Sequence, residues 1–318
     1  MSASDSDVTV VVASYNHERF AEQALEAVAA QTCQPRLIVT DDGSGDESVA
    51  VIQSALDRLG LAATTIFHAR NRGLCATFNE ALASVETPFV AFISADDWMA
   101  PTRVEKHRQA LIAAGDDTAL VYGDMHVHDD SGSLMGLWSS VWAPASVMGI
   151  EGRRYHELLN SNFIGTAAVM MRTRCVRAVG GYDERLPFED LDMWLRLAKD
   201  YRIAYAEEPL VHYRVHSASM TNSSNPATDG AWLRAMLRIY AKHLNVSTET
   251  DAIVHPRVYD AACRAYKTGA ARRELAGLFL GYARYARAPR AAFLSAMAAL
   301  NVPPRVAFGD WIPARRPT

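Results

Sequence analysis

The stretch VTVVVASYN, residues 8–16, decides the fold class of this chain. Its first part, VTVVVAS (8–14), is a nearly continuous apolar run rich in valine, which is typical of a strand buried on both faces. Residues 18–32 follow at once, and their apolar side chains recur at helical spacing along one stripe. A doubly buried strand followed directly by an amphipathic helix predicts a βαβ unit, in which neighbouring strands run parallel.

The same alternation continues to about residue 130. Strand-like runs and helical stripes follow one another in the order RLIVTDD, ESVAVIQSALDRLG, TTIFHA, LCATFNEALASV, FVAFISADD and TRVEKHRQALIAAG. Strands that alternate with helices of this length predict a Rossmann-like α/β fold, with a mostly parallel sheet flanked by helices on both faces. Farther along, FIGTAAVMMR (163–172) predicts another strand and residues 188–200 predict another helix.

Polar and glycine-containing segments follow four of the predicted strands. They are residues 14–16, 41–44, 71–73 and 96–97. Because ligands of such sheets bind outside the carboxyl ends of the strands, we expect the four segments to converge on one site. The adjacent carboxylates Asp96 and Asp97 repel each other unless a cation lies between them, which indicates a divalent metal. The alternative for this pair is a simple turn followed by a helix cap.

The charge distribution narrows the classes of function. The chain has 318 residues and a net charge of −4, which argues against a general nucleic-acid-binding protein. Residues 255–318 nevertheless carry eleven Arg or Lys against three Asp or Glu. A basic tail on an acidic body indicates docking between the two or attraction to an anionic surface. Four dispersed cysteines and a polar, acidic N-terminus favour the cytoplasm, with peripheral contact at the inner face of the membrane as an alternative.

Six segments together resemble, in the same order and at similar spacing, the bacterial, inverting family 2 glycosyltransferases with the GT-A fold. They are VVVASYN, VTDDGSGD, NRGLCATFN, FISADDW, VGGYDERLPFEDLDMWLRLA and YRVHSASMT, and they cover roughly residues 7–222. The resemblance implies a nucleotide-sugar-binding half at 1–129 and an acceptor-binding half with the catalytic base at 130–225. Residues 226–318 then form a basic helical C-terminal extension.

The resemblance implies a role for each matching residue of the donor site. Ala13 and Tyr15 border the base of a nucleoside diphosphate, usually uracil, and Asp42 accepts a hydrogen bond from the N–H of that base. Either Arg70 or Arg72 faces the diphosphate. The implied donor site therefore consists of Ala13, Tyr15, Asp42, Arg72, Ser94, Asp96 and Asp97.

The resemblance also implies a divalent metal, Mn²⁺ or Mg²⁺, as cofactor. Asp96 matches the last aspartate of the family's DXD motif, and His216 matches a histidine that completes the metal site in some relatives. His212, earlier in the same extended segment, is the less favoured ligand. The first position of the motif is Ser94 in this chain, which departs from the pattern. This departure predicts weaker metal binding or a greater contribution from other ligands.

Glu189 and Asp190 form a second pair of adjacent carboxylates, at a predicted helix start. Acidic residues are ordinary in the first turn of a helix. The motif match nevertheless singles out Asp190 as the base that deprotonates the acceptor hydroxyl, with Glu189 as the alternative. The candidate acceptor contacts are Trp98, Glu189 and Trp138. The two tryptophans are included because apolar faces of sugars pack on aromatic rings.

The resemblance thus implies an inverting, hexosyltransferase-type enzyme that moves a sugar from a UDP-sugar to a hydroxyl acceptor. The acceptor would be a glycan, a lipid-linked saccharide or a small molecule, in glycan or natural-product biosynthesis. Two alternatives are a nucleotide-sugar-binding protein with little or no turnover and a nucleotidyltransferase. Against the second, SYNHERF is not a glycine-rich basic loop.

The C-terminal helices, expected at 230–244, 256–287 and 289–300, form a cap on the body, a membrane-surface contact or a homodimer interface.

Overall fold

A seven-stranded sheet forms the centre of the N-terminal part of the chain. The computed structural model describes residues 6–142, 149–219, 230–268, 272–304 and 307. The strands are β1 (Val8–Ser14), β2 (Arg36–Asp41), β3 (Ala63–Phe67), β4 (Phe89–Ser94), β5 (Trp98–Met99), β6 (Thr118–Gly123), β7 (His126–His128), β8 (Leu134–Leu137), β9 (Val169–Arg172), β10 (Arg202–Ala206) and β11 (Val211–Arg214). They form two sheets, with the strand orders β10-β6-β9-β4-β1-β2-β3 and β5-β11-β7-β8.

The large sheet is mainly parallel, as predicted. β1 lies between β2 and β4 and runs parallel to both, and β2 runs parallel to β3. All seven residues of β1 are buried, which agrees with its valine-rich sequence. β9 is the exception, because it pairs antiparallel with both β4 and β6. The predicted α/β fold is therefore confirmed, with one reversed strand in the middle of the sheet.

Helices connect the parallel strands and bury one face each. In residues 6–142 and 149–219, the helices beside the sheets are α1 (Ala21–Ala29), α2 (Ser48–Leu59), α3 (Leu74–Ala83), α4 (Arg103–Ala113), α5 (Trp138–Val141), α6 (Tyr155–Asn160), α7 (Thr173–Ala178) and α8 (Asp190–Asp200). In α1 the buried residues are Ala21, Ala24, Leu25 and Val28, which recur at the spacing of one helical face. Trp194 of α8 lies fully inside the core, as its spacing among leucines predicts.

Two segments differ from the expectation. The predicted strand at 163–172 is a strand only over Val169–Arg172, because a short 3₁₀ turn, Thr166–Ala168, precedes it. From about residue 130 to 165, where the predicted alternation of strands and helices has ended, the chain forms the strand β8 and the helices α5 and α6. Residues 143–148 of that segment lie outside the described part of the chain.

The contacts within the chain divide it into two units, Met1–Ser219 and Met220–Thr318. The second unit is helical, with α9 (Gly230–Ala241), α10 (Thr248–Lys267), α11 (Arg272–Ala286) and α12 (Pro289–Ala299). The domain boundary expected near residue 226 lies outside the described residues. Within the described ranges, no helix combines the length and the apolar character that crossing a membrane requires.

Helix α10 begins earlier than expected and ends well before residue 287. It begins at Thr248 because the side chain of Ser247 accepts a hydrogen bond from the backbone N–H of Thr250. The single predicted helix at 256–287 is therefore two helices, and residues 269–271 between them lie outside the description.

Candidate active site

The four polar segments lie next to one another at one edge of the large sheet. Ser14 at the end of β1 pairs with Asp41 at the end of β2, and Asp41 pairs with Phe67 at the end of β3. On the other side of β1, Ala13 pairs with Ser94 at the end of β4. The carboxyl ends of β4, β1, β2 and β3 are therefore in register, and the segments that follow them share this edge.

The segments after β1 and β2 are joined by hydrogen bonds. The backbone N–H of Asn16 donates to Ser44 Oγ at 2.8 Å, and the N–H of Gly45 donates to Asn16 Oδ1 at 2.9 Å. The N–H of His17 donates to Ser48 Oγ, also at 2.8 Å. These bonds hold the backbone of SYNH against the DGSGD segment, which fixes where the neighbouring side chains point.

The carboxylate of Asp42 is buried and accepts several hydrogen bonds. Oδ1 accepts from the N–H of Arg72 and from His68 Nδ1, both at 2.8 Å, and Oδ2 accepts from the N–H of Gly73 at 2.8 Å. A carboxylate has about four acceptor positions, so one on Oδ2 remains for a further donor. Through these hydrogen bonds, Asp42 connects the segment after β2 to the segment after β3.

Two other predicted donor residues are open to solvent. Tyr15 is 46% exposed, so a face of its ring is accessible. The guanidinium of Arg72 is about half exposed and forms an ion pair with Glu80. Arg70 is also exposed, and its backbone closely approaches Gly43. Ala13, in contrast, is only 5% exposed at the end of β1.

Asp96 and two histidines form a group of metal-ligating side chains. Nε2 of His216 lies 3.0 Å from Asp96 Oδ2, and Nε2 of His17 lies 3.7 Å from the same oxygen. One donor atom from each of the three residues lies within 4.8 Å of the others. Burial by itself raises the pKa of Asp96, but the hydrogen bond with His216 and the charge of His17 outweigh it and lower the pKa below its ordinary value.

Asp97 points elsewhere, although it is adjacent in sequence. It is 3% exposed, and its Oδ1 accepts a hydrogen bond from the N–H of Arg214 at 2.9 Å. Burial, reinforced by the charge of Asp96, raises the pKa of Asp97 well above its ordinary value. The guanidinium of Arg214 lies 4.7 Å from the ring centroids of both Phe20 and Trp98. Asp97 and Arg214 thus join the turn after β4 to β11.

Glu189 and Asp190 lie at the start of α8, both half-buried. Asn162 Nδ2 donates to Asp190 Oδ2 at 2.7 Å, which orients that carboxylate. Burial raises the pKa of Glu189 to about 7, and the adjacent charge of Asp190 adds to this shift. Burial also raises the pKa of Asp190, against the opposing hydrogen bonds from the backbone of Leu191 and from Asn162. With a pKa of about 7, Glu189 is protonated in part of the molecules at neutral pH.

This carboxylate pair lies close to the donor side of the sheet. Cys75 is in the first turn of α3, immediately after the segment that carries Arg72 and Gly73. Burial raises the pKa of Cys75 to about 12, and the charges of Glu189 and Asp190 contribute to that shift. Asn79 of α3 also contacts the segment that leads into α8: its Nδ2 donates to the carbonyl of Tyr182 at 2.9 Å, and its Oδ1 accepts from the N–H of Tyr182 at 2.8 Å.

Trp98 and Trp138 both contact β11. The ring of Trp98 stacks on His212, with centroids 4.9 Å apart, and Trp138 meets Tyr213 edge to face at 5.4 Å. His212 lies in this aromatic cluster and not in the group around Asp96. Burial, followed by the neighbouring histidines, lowers the pKa of His212 to about 4.

The sequence interpretation missed His17. Its only signal was its position two residues after Tyr15, in the polar segment at the first strand end. A lone histidine there has no metal-binding spacing, since its partners in the group lie 79 and 199 positions farther along the chain. Arg214 was also missed, because it was only one polar residue in an extended segment.

The fold of this chain is similar to that of solved glycosyltransferases. S. aureus TarS 1–349 in complex with UDP-GlcNAc has a TM-score of 0.62 and 16% identity, with 93% of this chain and 92% of that chain covered. The mannosyltransferase PcManGT from Pyrobaculum calidifontis, in complex with GDP-Man and Mn²⁺, has a TM-score of 0.54 and 16% identity, with 95% and 85% covered. At this identity the likeness concerns the fold, and it confirms the predicted GT-A fold.

The sequence relatives, which match about two thirds of the chain, are also glycosyltransferases. An uncharacterized glycosyltransferase of Rickettsia felis is 24% identical over 215 residues, which are 66% of this chain and 34% of that protein. One of Methanocaldococcus jannaschii is 24% identical over 212 residues, 65% of this chain and 70% of that protein. The match spans about a third of the length of the Rickettsia relative. The family model of glycosyl transferase family 2 matches residues 9–175, more than half of the chain, and the protein therefore belongs to this family.

Proposed function

We propose that this protein is an inverting glycosyltransferase that moves a sugar from a nucleoside-diphosphate sugar to a hydroxyl group. The observation that carries the proposal is that the polar strand ends share one edge of the sheet, while Asn79 of α3 is hydrogen-bonded to the segment that leads into Glu189 and Asp190. In this arrangement the donor edge would bind the nucleotide and its diphosphate. The carboxylate pair would supply the general base that deprotonates the acceptor hydroxyl.

The donor is proposed to be a UDP-sugar. Tyr15 offers an exposed ring on which a base stacks, and Asp42 retains an acceptor position for the imide N–H of uracil. The solved structures of similar fold contain UDP-GlcNAc in one case and GDP-Man in the other. UDP is favoured here because the one acceptor position left on Asp42 matches the single imide N–H of uracil, whereas guanine presents two adjacent N–H donors. The acceptor is proposed to be a hydroxyl group of a glycan, a lipid-linked saccharide or a small molecule.

The residues around Asp96 fit a divalent cation. A carboxylate and imidazole nitrogens are common metal donors, and Asp96 Oδ1 is buried without a hydrogen-bond partner. Asp96 and His216 would hold Mn²⁺ or Mg²⁺, whose chemistry there is to neutralise negative charge on the departing diphosphate. Arg72 would add positive charge at the same edge by exchanging its ion pair with Glu80 for the diphosphate, since its side chain is about half exposed.

Asp190 is proposed as the general base. Asn162 orients its carboxylate, and burial raises its pKa toward the range in which a base both accepts and releases a proton. As the acceptor oxygen attacks the anomeric carbon, its proton passes to Asp190 and the diphosphate leaves from the opposite face. Glu189 lies beside Asp190, and the two carboxyl groups affect each other's charge. Trp98 and Trp138 would contact the acceptor.

Replacement of the base tests this proposal. We expect the unmodified protein to release UDP from a UDP-sugar when Mn²⁺ and an acceptor are present. The substitution Asp190→Asn keeps the shape of the side chain but removes the base, so turnover should fall by about 10²–10⁴-fold. UDP binding should persist, because Asp190 does not contact the nucleotide in the proposed arrangement. UDP release is the measurement, over a panel of nucleotide sugars.

Asp200→Asn is the matched control, since Asp200 is exposed at the other end of the same helix. It removes the same charge from α8 and should leave turnover unchanged. Equal turnover of Asp190→Asn and the unmodified protein would show that Asp190 is not the base. UDP binding without release from any nucleotide sugar would favour a binding protein.

A further inference from the structure

We propose that His17 is a third protein ligand of the divalent cation, and that it makes the site favour first-row transition ions over Mg²⁺. The cation site belongs to the proposed function, and this inference adds to it a ligand from the segment after β1 and a metal preference. The resulting set would be two imidazoles and one carboxylate: His17, His216 and Asp96.

The spacing of the donor atoms fits a single ion. Metal–ligand bonds of about 2.0–2.2 Å place two donor atoms about 2.8–4.4 Å apart, depending on the angle between the bonds. The Nε2 atoms of His216 and His17 lie 3.0 and 3.7 Å from Asp96 Oδ2, and all three donor atoms lie within 4.8 Å of one another. Side-chain shifts of less than about 1 Å bring the widest pair into that range.

Hydrogen bonding explains only part of this arrangement. The distance of 3.0 Å between His216 Nε2 and Asp96 Oδ2 is an ordinary hydrogen bond. At 3.7 Å, His17 Nε2 is too far from the same oxygen for one. His17 Nδ1 and Asp96 Oδ1 are both buried without a hydrogen-bond partner. A cation held by His17 Nε2 and by the carboxylate of Asp96 would account for the approach of this nitrogen to Asp96, which no hydrogen bond explains, and the unpartnered Asp96 Oδ1 offers the cation a second oxygen.

The backbone holds His17 in position for such a role. Its N–H donates to Ser48 Oγ at 2.8 Å, and its carbonyl accepts from the N–H groups of Phe20 and Ala21 at 2.9 and 3.0 Å. Its ring lies nearly perpendicular to that of His216, and the ring of Phe20 packs on His216 from the same segment. The side chain of His17 is only 14% exposed. Little ordering is therefore required when an ion binds.

The metal preference follows from the kinds of donor atom. Ser94 stands where the family pattern has a carboxylate, so the site has one charged oxygen ligand and two neutral nitrogens. Mg²⁺ prefers oxygen ligands, whereas imidazole favours first-row transition ions. Affinity for such a set rises from Mn²⁺ to Co²⁺. The expected order of affinity is therefore Co²⁺, then Mn²⁺, then Mg²⁺.

Direct metal titration tests the ligand and the preference together. The metal-free full-length protein is titrated with Mn²⁺ followed by electron paramagnetic resonance, with Co²⁺ followed by visible absorption, and with Mg²⁺ by competition against Mn²⁺. The unmodified protein should bind Mn²⁺ at least about tenfold more tightly than Mg²⁺. His17→Gln should weaken Mn²⁺ and Co²⁺ binding by about 10–100-fold, a loss of the size that disturbed metal sites show. Mg²⁺ binding should weaken less, so the preference of the protein for Mn²⁺ and Co²⁺ over Mg²⁺ should be smaller in His17→Gln.

His156→Gln is the matched control. His156 lies on α6, outside the group around Asp96, and its replacement should leave all three affinities unchanged. Pulsed electron paramagnetic resonance of bound Mn²⁺ adds a readout of the ligands themselves. Two coupled imidazole nitrogens are expected in the unmodified protein and in His156→Gln, and one in His17→Gln.

A single coupled imidazole in the unmodified protein would overturn the inference without any variant, so the test does not depend on His17→Gln folding. Unchanged selectivity in a folded His17→Gln, confirmed by circular dichroism, would overturn it as well. These titrations contain no nucleotide sugar, so they separate the two proposals. Two-imidazole binding without UDP release would reject the proposed function alone, and UDP release with one imidazole ligand would reject this inference alone.

Discussion

At the scale of single residues, adjacent side chains of the same type have different environments. Asp96 faces two histidines at the edge of the sheet, whereas Asp97 is buried against the backbone of β11. The pKa of Asp96 is lowered and that of Asp97 is raised. A negative charge is therefore favoured at the position that faces the proposed cation, while Asp97 holds the turn in place.

Glu189 gives a prediction about the pH dependence of stability. Burial, with the charge of Asp190, raises its pKa to about 7 in the folded protein, compared with an ordinary value of about 4.3. A raised pKa means that the folded state holds the proton more tightly than the unfolded state. This stabilisation is present at pH 4 and is lost as the pH rises through about 7.

The substitution Glu189→Gln should therefore stabilise the protein relative to the unmodified chain at pH 8 and not at pH 4. The expected difference between the two pH values is about 1–2 kcal/mol, after allowance for the partial exposure of the side chain. Thermal unfolding at both pH values is the measurement, with the exposed Glu207→Gln as control. An equal effect of Glu189→Gln at pH 4 and pH 8 would contradict the raised pKa.

At the scale of elements, the segments at the sheet edge pack closely enough to depend on one glycine. Gly43, after β2, has φ +75°, and a Cβ there would lie 2.6 Å from the Cα of Arg70, after β3. No side chain fits at that distance without moving the backbone of the second segment. The N–H groups of Arg72 and Gly73 donate to Asp42. Such a movement would therefore also disturb Asp42, the residue proposed to bind the nucleobase of the donor.

Gly43→Ala should consequently destabilise the protein more than Gly60→Ala. Both glycines have a positive φ, but a Cβ on Gly60 would meet nothing within 4 Å. The backbone strain costs about 1 kcal/mol in either variant, and the steric clash at Gly43 should add about 1–3 kcal/mol. Chemical denaturation measures the difference. UDP affinity should fall only in Gly43→Ala, and equal stability of the two variants would exclude the steric explanation.

Strand β11 connects the donor edge to the candidate acceptor contacts. Arg214 donates through its N–H to Asp97, through Nε to the carbonyl of Asp96 at 3.1 Å, and through its guanidinium to Gln23 at 2.6 Å. The neighbouring His212 and Tyr213 contact Trp98 and Trp138. One short strand thus fixes the turn that carries Asp96 and the aromatic rings beside it.

At the scale of the whole molecule, binding of donor nucleotide and metal should raise the melting temperature. A ligand present at 100 times its Kd stabilises the folded state by about 2.7 kcal/mol. For a unit of this size that corresponds to a shift of roughly 5–10 °C. We expect the shift with UDP and Mn²⁺ together, and a smaller one with UDP after chelation of the metal. Thermal unfolding of Asp96→Asn should show no added effect of Mn²⁺. Absence of any shift with UDP and Mn²⁺ would reject a UDP-dependent function.

The C-terminal unit keeps the basic character expected from the sequence. Its described residues form four helices, and Tyr285 and Phe293 of α11 and α12 are 44% and 49% exposed. The cap, the membrane-surface contact and the dimer interface all stay predictions for this unit. Their common physical basis is the alternation of arginine with apolar residues.

Much of the fold and the clustering of the polar segments at one sheet edge could be predicted from sequence, because both depend on local patterns. Valine-rich runs such as that of β1 and helical stripes such as that of α1 fixed the α/β class, and the polar residues after the strands indicated the site edge. The reversed direction of β9 could not be predicted, since a buried strand has the same residue pattern in either direction. The capping of α10 by Ser247 was predictable in principle, because the side chain of a serine there satisfies a backbone N–H.

The sequence by itself determined the order of strands and helices and the residue types at the sheet edge, because periodicity and turn chemistry act over a few neighbouring residues. Only the tertiary structure decided that Asp97 is buried away from the edge that Asp96 faces, and that His17 joins Asp96 and His216 there. These three residues come from segments far apart in the chain, and their proximity depends on the parallel pairing of β1 with β4 and on the position of β11. Long-range packing of this kind leaves no local pattern in the sequence.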